Sequence, residues 1–214
     1  EKGRLAGARV LILPYNARLS DREAESIEAF VRDGGKLIVF YTLPNRLGDL
    51  LGLRRVRHLR AEYPGQFSRI ALGRRLPGAP KDILQNSWNI YVVEPTRDST
   101  RVLGRWVDRT GRDTGYPGLV VSPTGAYIPH VLTQGDVVRK TQLLGALLVR
   151  LAPELGPRLC EEALARVGAV AGYLLGQSVA GIVTHLGLLG TITLNYSSLS
   201  TIYSSLVVML TVFL

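Results

Sequence analysis

Two short apolar runs near the start of the chain flank a segment with helical periodicity. The runs Arg9–Pro14 and Lys36–Tyr41 are rich in Val, Ile and Leu, which is typical of strands buried on both faces of a parallel sheet. Between them, Ser20 and Glu23 have the spacing of a capping box at a helix start, and a glycine pair follows as a stop signal. The apolar face of this helix comprises Ala24, Ile27, Phe30 and Val31. Residues 8–42 therefore predict a β–α–β unit with parallel strands and a right-handed crossover.

Weaker patterns follow this unit. Short helices are predicted at Leu47–Gly52 and Leu159–Val167, and a longer amphipathic helix at Val138–Leu151. Apolar or alternating runs predict further strands, and Pro123-Thr124-Gly125 predicts a hairpin turn between the last two. These strands are Ser68–Leu72, Ile90–Val93, Arg101–Val107, Gly118–Ser122 and Ala126–Leu132. The basic stretch Arg54–Arg60 is interpreted as a solvated surface loop.

Charge is distributed unevenly along the 214 residues. The chain is 46% hydrophobic and 20% charged, with a net charge of +9 from 26 basic and 17 acidic residues. This composition excludes collagen-like, coiled-coil and wholly disordered chains. Every charged residue lies at or before Arg166. We therefore predict three segments, which are an α/β domain at 1–156, a helical extension at 157–172 and an uncharged apolar tail at 173–214.

Three interpretations of the apolar tail remain open. It has the length and composition of a membrane segment, it could be a buried β-rich extension, or it could be a sequence artefact such as a frameshift. The chain begins at Glu1 without a signal-peptide pattern and ends inside an apolar run. We therefore expect it to be a fragment of a longer protein, and its location stays open between extracytoplasmic and membrane-associated.

No motif in the sequence predicts catalysis, a cofactor or a metal site. Cys160, the one cysteine, lacks the glycine-flanked strand-to-helix turn of a nucleophile. The histidines His58, His130 and His185 are far apart and lack metal-ligand spacing. The first strand leads into a loop with neither a G-x-G-x-x-G pattern nor a Walker lysine. The basic stretch lacks interleaved aromatic residues, so nucleic acid is disfavoured as a partner.

Several segments together resemble a known family. They are Val10–Asn16, the Leu19-Ser20-Asp21 cap, Phe30–Val39, Leu50-Leu51-Gly52, Asp113–Val121, Ile128–Leu132 and the helix at 139–155. This combination resembles the class I glutamine amidotransferase-like fold. It is most similar to the version found as the trimerisation-type accessory domain of β-galactosidases, and in the N-terminal region of bacterial family-10-like glycosidases. The resemblance covers about residues 5–170.

The resemblance implies a fold and an accessory role. The implied fold is a three-layer, flavodoxin-like α/β domain with a mostly parallel sheet and flanking helices. Active amidotransferases carry a cysteine at a nucleophile elbow, but this chain has no cysteine before Cys160, so no catalytic residue is carried over. The implied function is a non-catalytic accessory domain of a glycoside hydrolase protein, for domain packing, oligomerisation or shaping a carbohydrate cleft. Its expected partners are a downstream hydrolase domain, a second copy or a carbohydrate.

Two alternative functions are kept. One is a membrane-tethered sensory or transport-associated domain, which depends on residues 173–214, and the other is an amidohydrolase-type enzyme with unrecognised catalytic residues. In open α/β sheets, ligands bind at the carboxyl ends of the strands. The residues that follow the first two strands are therefore the candidate ligand crevice. They are Tyr15, Asn16, Tyr41, Thr42 and Asn45.

Overall fold

The computed structural model describes residues 5, 7–15, 18–73 and 76–161. The chain divides into two compact units, Glu1–Pro153 and Glu154–Leu214. In the second unit only residues 154–161 are described, so the predicted extension and tail lie largely or wholly outside the described residues. The three-segment division stays a prediction. No helix among the described residues is long and apolar enough to cross a membrane.

The first unit alternates short helices with many strands. The helices are α1 (Asp21–Arg32), α2 (Asn45–Leu51) and α3 (Val137–Leu151). The strands are β1 (Val10–Leu13), β2 (Lys36–Phe40), β3 (Leu53–Arg60), β4 (Phe67–Ala71), β5 (Asp82–Ser87), β6 (Asn89–Pro95), β7 (Arg101–Val107), β8 (Asp113–Ser122) and β9 (Gly125–Ile128). A 3₁₀ turn at Pro153–Leu155 follows α3.

Most of these strands form one mixed sheet in the order β1-β2-β9-β8-β7-β4-β5. The pairs β1–β2 and β2–β9 are parallel, whereas the other four neighbouring pairs are antiparallel. The prediction of a mostly parallel sheet is therefore wrong. Parallel neighbours need a crossover of a dozen or more residues, which α1 provides, whereas β8 returns into β9 through Pro123 and Thr124 alone.

The predicted β–α–β unit is confirmed as two parallel strands joined by a capped helix. The Ser20 amide donates to Glu23 Oε2 at 2.9 Å, and the Glu23 amide donates to Ser20 Oγ at 3.3 Å. This reciprocal bonding satisfies two amides at the helix start. Helix α1 buries the side chains of Ala24, Ile27 and Phe30, three of the four residues that the periodicity placed on its apolar face.

Strand β2 contributes to two apolar clusters because its alternate side chains point to opposite faces. Leu37 and Val39 lie in one cluster with residues of α1 and α2. Ile38 and Phe40 lie in the other cluster, which contains leucines of α3. Those leucines are Leu143, Leu147 and Leu151. Apolar burial on both faces explains why this strand reads as a continuous apolar run.

Strands β3 and β6 form a separate two-stranded antiparallel ribbon. The interpretation of Arg54–Arg60 as a loop is therefore wrong, since these residues lie within β3. The burial pattern explains the error, because six of the eight side chains of β3 are exposed and no apolar alternation marks the strand. A register shift between Arg55 and Arg57 further disrupts its periodicity.

Candidate functional site

The three parallel strands end at one edge of the sheet and bring aromatic residues to that edge. Tyr15 lies two residues after β1, Tyr41 directly follows β2, and His130 lies two residues after β9. Because these strands are adjacent and parallel, the three side chains meet although they are far apart in sequence. This edge is the usual ligand position in open α/β sheets.

The turn after β2 has a strained backbone. Tyr41 adopts a φ of 60°, a left-handed conformation that is costly for a bulky residue with a Cβ atom. The hydroxyl of Tyr127 donates a hydrogen bond of 2.5 Å to the Tyr41 carbonyl oxygen. Tyr127 is fully buried within β9, so it anchors this carbonyl from the sheet interior. Strain of this kind persists only where the surroundings hold it.

Four aromatic or imidazole rings surround the ring of Tyr41. Its ring stacks on Tyr15 at a centroid distance of 5.9 Å, and it lies 5.0 Å from Tyr91 and 5.3 Å from His130. His58 lies 6.5 Å from Tyr41 and 5.1 Å from Tyr91. We call these five residues the tyrosine–histidine cluster. Tyr15 is 57% exposed, whereas His130 is buried, so the cluster extends from the surface into the protein.

The β3–β6 ribbon supplies two members of the cluster. His58 pairs directly opposite Tyr91, and residues directly opposite in an antiparallel pair present side chains on the same face. The register shift at Val56 changes the alternation, so that Arg55 and His58 share that face instead of Arg55 and Arg57. Bulges commonly re-aim side chains next to functional sites.

The Tyr41 hydroxyl lies at the centre of the polar contacts in the cluster. It is 3.4 Å from His58 Nε2. Burial raises the pKa of Tyr41, and proximity to Tyr91 and Tyr15 raises it further, while a hydrogen bond from the Asn89 side chain acts in the opposite direction. The phenol therefore remains protonated at neutral pH and can both donate and accept a hydrogen bond.

His130 forms the buried side of the cluster. Burial lowers its pKa, the hydrogen bond to the Val131 carbonyl acts to raise it, and the nearby Lys140 ammonium lowers it. Its Nδ1–H donates to the Val131 carbonyl oxygen at 2.8 Å. The ring is therefore neutral at physiological pH, with Nε2 as its acceptor nitrogen.

Unpartnered polar atoms lie next to this buried side. Gln85 Oε1 and Asn89 Oδ1 are buried and have no hydrogen-bond partner among the described residues. Gln85 is 0% exposed, and its Nε2 lies 3.3 Å from His130 Nδ1. Buried polar groups in native proteins normally find a partner, so the polar environment beneath the rings is suited to an internal water or a polar ligand group.

The structure brings together two of the five predicted crevice residues, Tyr15 and Tyr41. Thr42 is half-buried after Tyr41, and Asn45 is exposed at the first residue of α2. In the described part of the chain, no recorded hydrogen bond or ring contact joins either residue to the tyrosine pair. Asn16 lies outside the described residues. That a ligand binds at this edge remains a prediction.

Sequence reasoning missed His58, Tyr91 and His130 as members of the site. The spacing of the histidines in the sequence predicts no cluster, yet two of the three contact the Tyr41 ring. The pattern at Ala126–Leu132 predicts a strand that includes His130, but β9 ends at Ile128. Its position just beyond a buried strand is the signal that could have identified it.

The sequence offers two other kinds of candidate chemistry, a cysteine nucleophile and a metal site. Cys160 is exposed. Within the described ranges, no group of three or more His, Cys, Asp or Glu side chains is arranged to hold a metal ion. The tyrosine–histidine cluster is therefore the most developed polar and aromatic assembly that the structure describes.

Comparisons with known proteins identify a fold. No protein-family model and no curated protein sequence matches this chain. A ThuA-like protein from Bacteroides uniformis superposes with a TM-score of 0.52 at 14% identity, covering 69% of this chain and 70% of that one. The N-terminal domain of mmIFT52 superposes with a TM-score of 0.50 at 12% identity, covering 71% and 80%.

A β-galactosidase from Rahnella sp. R3 matches 67% of this chain and 22% of its own, at 16% identity. Its TM-score of 0.49 is too low to carry an argument. Function does not follow from fold at such identities, because one fold hosts many functions. The comparisons thus show that the chain has a mixed α/β fold shared with the ThuA-like protein and the mmIFT52 domain.

Proposed function

We propose that this chain contains a non-catalytic, carbohydrate-binding accessory domain of a carbohydrate-active protein. The observation that carries the proposal is the stacked pair Tyr15 and Tyr41 at the carboxyl edge of the parallel strands. Tyr15 is exposed, so one ring of the pair is accessible to a ligand. The resemblance of the sequence to β-galactosidase accessory domains supports the same role.

The chemistry of the cluster suits a sugar. Aromatic rings offer a large apolar surface to the C–H face of a pyranose, while hydroxyl and imidazole groups bond its hydroxyls. Tyr41 is kept protonated by burial, so its hydroxyl can donate to one sugar oxygen and accept from another. His58 is exposed beside it and adds a second polar contact.

The accessory part of the proposal concerns the partner. A domain of this kind would hold a downstream glycoside hydrolase domain or a second copy of itself, and would shape part of a carbohydrate cleft. Co-purification of the parent protein's hydrolase domain with this chain tests that part separately from sugar binding.

The experiment on sugar binding uses the full chain in calorimetric titrations. The ligands are neutral β-linked tetrasaccharides of glucose, xylose and galactose. Tyr15→Ala removes the exposed ring of the cluster, and Trp88→Ala is the matched control, because Trp88 is 61% exposed and packs on Arg60 instead. A lost aromatic contact of about 0.5–1.5 kcal/mol predicts roughly 2- to 13-fold weaker binding for Tyr15→Ala alone. An equal loss of binding affinity in Tyr15→Ala and Trp88→Ala would contradict the proposed site.

One observation favours a catalytic alternative, namely the 3.4 Å approach of His58 Nε2 to the Tyr41 hydroxyl. A tyrosine–histidine pair can transfer protons. The raised pKa of Tyr41 favours a phenol that acts as a hydrogen-bonding group over one that ionises. Hydrolysis of any of these tetrasaccharides by the wild type, abolished in Tyr41→Phe, would support the alternative.

A further inference from the structure

The face of the β3–β6 ribbon that carries the cluster also carries arginines. The guanidinium of Arg55 lies 5.5 Å from the centre of the Tyr91 ring, which contacts both Tyr41 and His58. Arg60 lies opposite Asn89 on the same face and packs over Trp88 at 5.6 Å. The bulge at Val56 is what gives Arg55 and His58 a common face.

Arg55 differs from its neighbour Arg54 in having no ion-pair partner among the described residues. In the part of the chain that the structure describes, no carboxylate lies within 4 Å of its guanidinium, whereas the neighbouring Arg54 is 2.6 Å from Glu94. Arg57 lies on the opposite face of the ribbon and donates to the Tyr116 hydroxyl at 3.4 Å. Arg55 is thus the exposed cation of β3 that packs on a ring of the cluster.

A second cation lies on the buried side of the cluster. The charge of the Lys140 ammonium lowers the pKa of His130. The same ammonium donates a hydrogen bond to the Thr133 carbonyl oxygen at 2.7 Å. Burial lowers the pKa of Lys140, and the nearby Asp136 carboxylate acts to raise it. No carboxylate among the described residues has a recorded contact with any of the five rings. The cluster is therefore an aromatic surface with a cation on two of its sides and no contacting carboxylate among the described residues.

We propose that the ligand of the cluster is a carboxylated carbohydrate, a uronic-acid oligosaccharide, with the tyrosine rings on its pyranose face and Arg55 on its carboxylate. This inference rests on the proposed function and adds the class of sugar. A guanidinium presents paired N–H donors that match the two oxygens of a carboxylate. The cation–π contact with Tyr91 holds the guanidinium beside the rings.

A single-stranded nucleic acid is the competing polyanion, and the observations favour the sugar. Nucleic-acid binding depends on several cations that follow a phosphate backbone. Along β3, Arg54 is paired with Glu94, and Arg57 lies on the other face of the ribbon. Arg55 and Arg60 share the face of the cluster, but only Arg55 packs on one of its rings. A single guanidinium at the rings fits one carboxylate better than a row of phosphates.

The test compares acidic oligosaccharides with their own methyl esters, so that sugar and linkage stay the same. Tetragalacturonate and an oligoglucuronate are titrated into the full chain by calorimetry, each as acid and as methyl ester. We expect the acid of at least one pair to bind about three- to tenfold tighter than its ester at about 20 mM salt. The preference should fall at about 300 mM salt because ions screen the exposed charge.

Two arginine variants test which side chain causes the preference for the acid over the ester. Arg55→Gln should bring the affinities of acid and ester to within about twofold of each other. Arg57→Gln is the matched control on the opposite face of the same strand, and it should keep the wild-type ratio. Circular dichroism confirms that both variants fold.

The outcomes separate this inference from the function on which it rests. Equal binding of acid and ester, or a preference that survives Arg55→Gln, overturns the inference and leaves carbohydrate binding standing. If neither acid nor ester binds, and the neutral tetrasaccharides fail as well, the proposed function itself falls. Tighter binding of a dT oligonucleotide than of any acidic sugar, lost in Arg55→Gln, reassigns the surface to nucleic acid.

Discussion

The strained turn that presents Tyr41 depends on one half-buried hydrogen bond, and removing that bond gives a quantitative prediction. In Tyr127→Phe the ring still fills its site in β9, so no cavity of consequence forms. The Tyr41 carbonyl oxygen loses the donor that lies 2.5 Å away. An acceptor that loses its donor away from free solvent costs about 1–3 kcal/mol, and the free energy of unfolding should fall by that amount.

The assay is thermal and urea unfolding followed by circular dichroism. At about 2–4 °C per kcal/mol for a chain of this size, the Tm should fall by roughly 2–12 °C. Tyr116→Phe is the matched control, since the Tyr116 hydroxyl has only a long 3.4 Å contact with an exposed arginine. That variant should stay within about 0.5 kcal/mol of wild type. A Tyr127→Phe protein as stable as wild type would refute the idea that this bond holds the turn.

Two further predictions concern the scaffold. Gly125→Ala should destabilise the protein by about 3 kcal/mol or more in urea unfolding, because the new Cβ would overlap the Leu37 carbonyl oxygen; Gly145→Ala, with open space around it, should be neutral or stabilising. The pKa of Asp108 is lowered from 3.8 to about 2 by hydrogen bonds, chiefly from the Thr110 hydroxyl. Its stabilisation is therefore complete above about pH 4 and is lost as the pH falls towards 2. Asp108→Asn should flatten the decline in Tm over that interval, and an unchanged pH profile would contradict this assignment.

The local features of the fold were predictable because their signals lie within a few residues. The capping box of Ser20 and Glu23, the apolar face of α1 and the parallel pairing of β1 with β2 all follow from short-range patterns. The course of β3 was not predictable, because charged residues occupy both of its faces and the bulge at Val56 removes its alternation.

The candidate site was predictable only in part. Tyr15 and Tyr41 follow the two strands of the β–α–β unit, and parallel strands bring their ends together. His58, Tyr91 and His130 join them through the pairing of β3 with β6 and the insertion of β9 beside β2. These long-range pairings leave no fixed spacing in the sequence, so the histidines appeared unrelated.

The most direct test of the central claim is whether a sugar contacts the tyrosine–histidine cluster. The chain has three histidines, so their ring proton signals in a one-dimensional NMR spectrum can be assigned with His58→Gln and His130→Gln. During titration with the tightest-binding oligosaccharide, we expect the His58 signal to shift with the same Kd that calorimetry gives. Tyr15→Ala should weaken the affinity by the same factor in both measurements. Heat of binding with no movement of the His58 signal would place the ligand elsewhere and contradict the account.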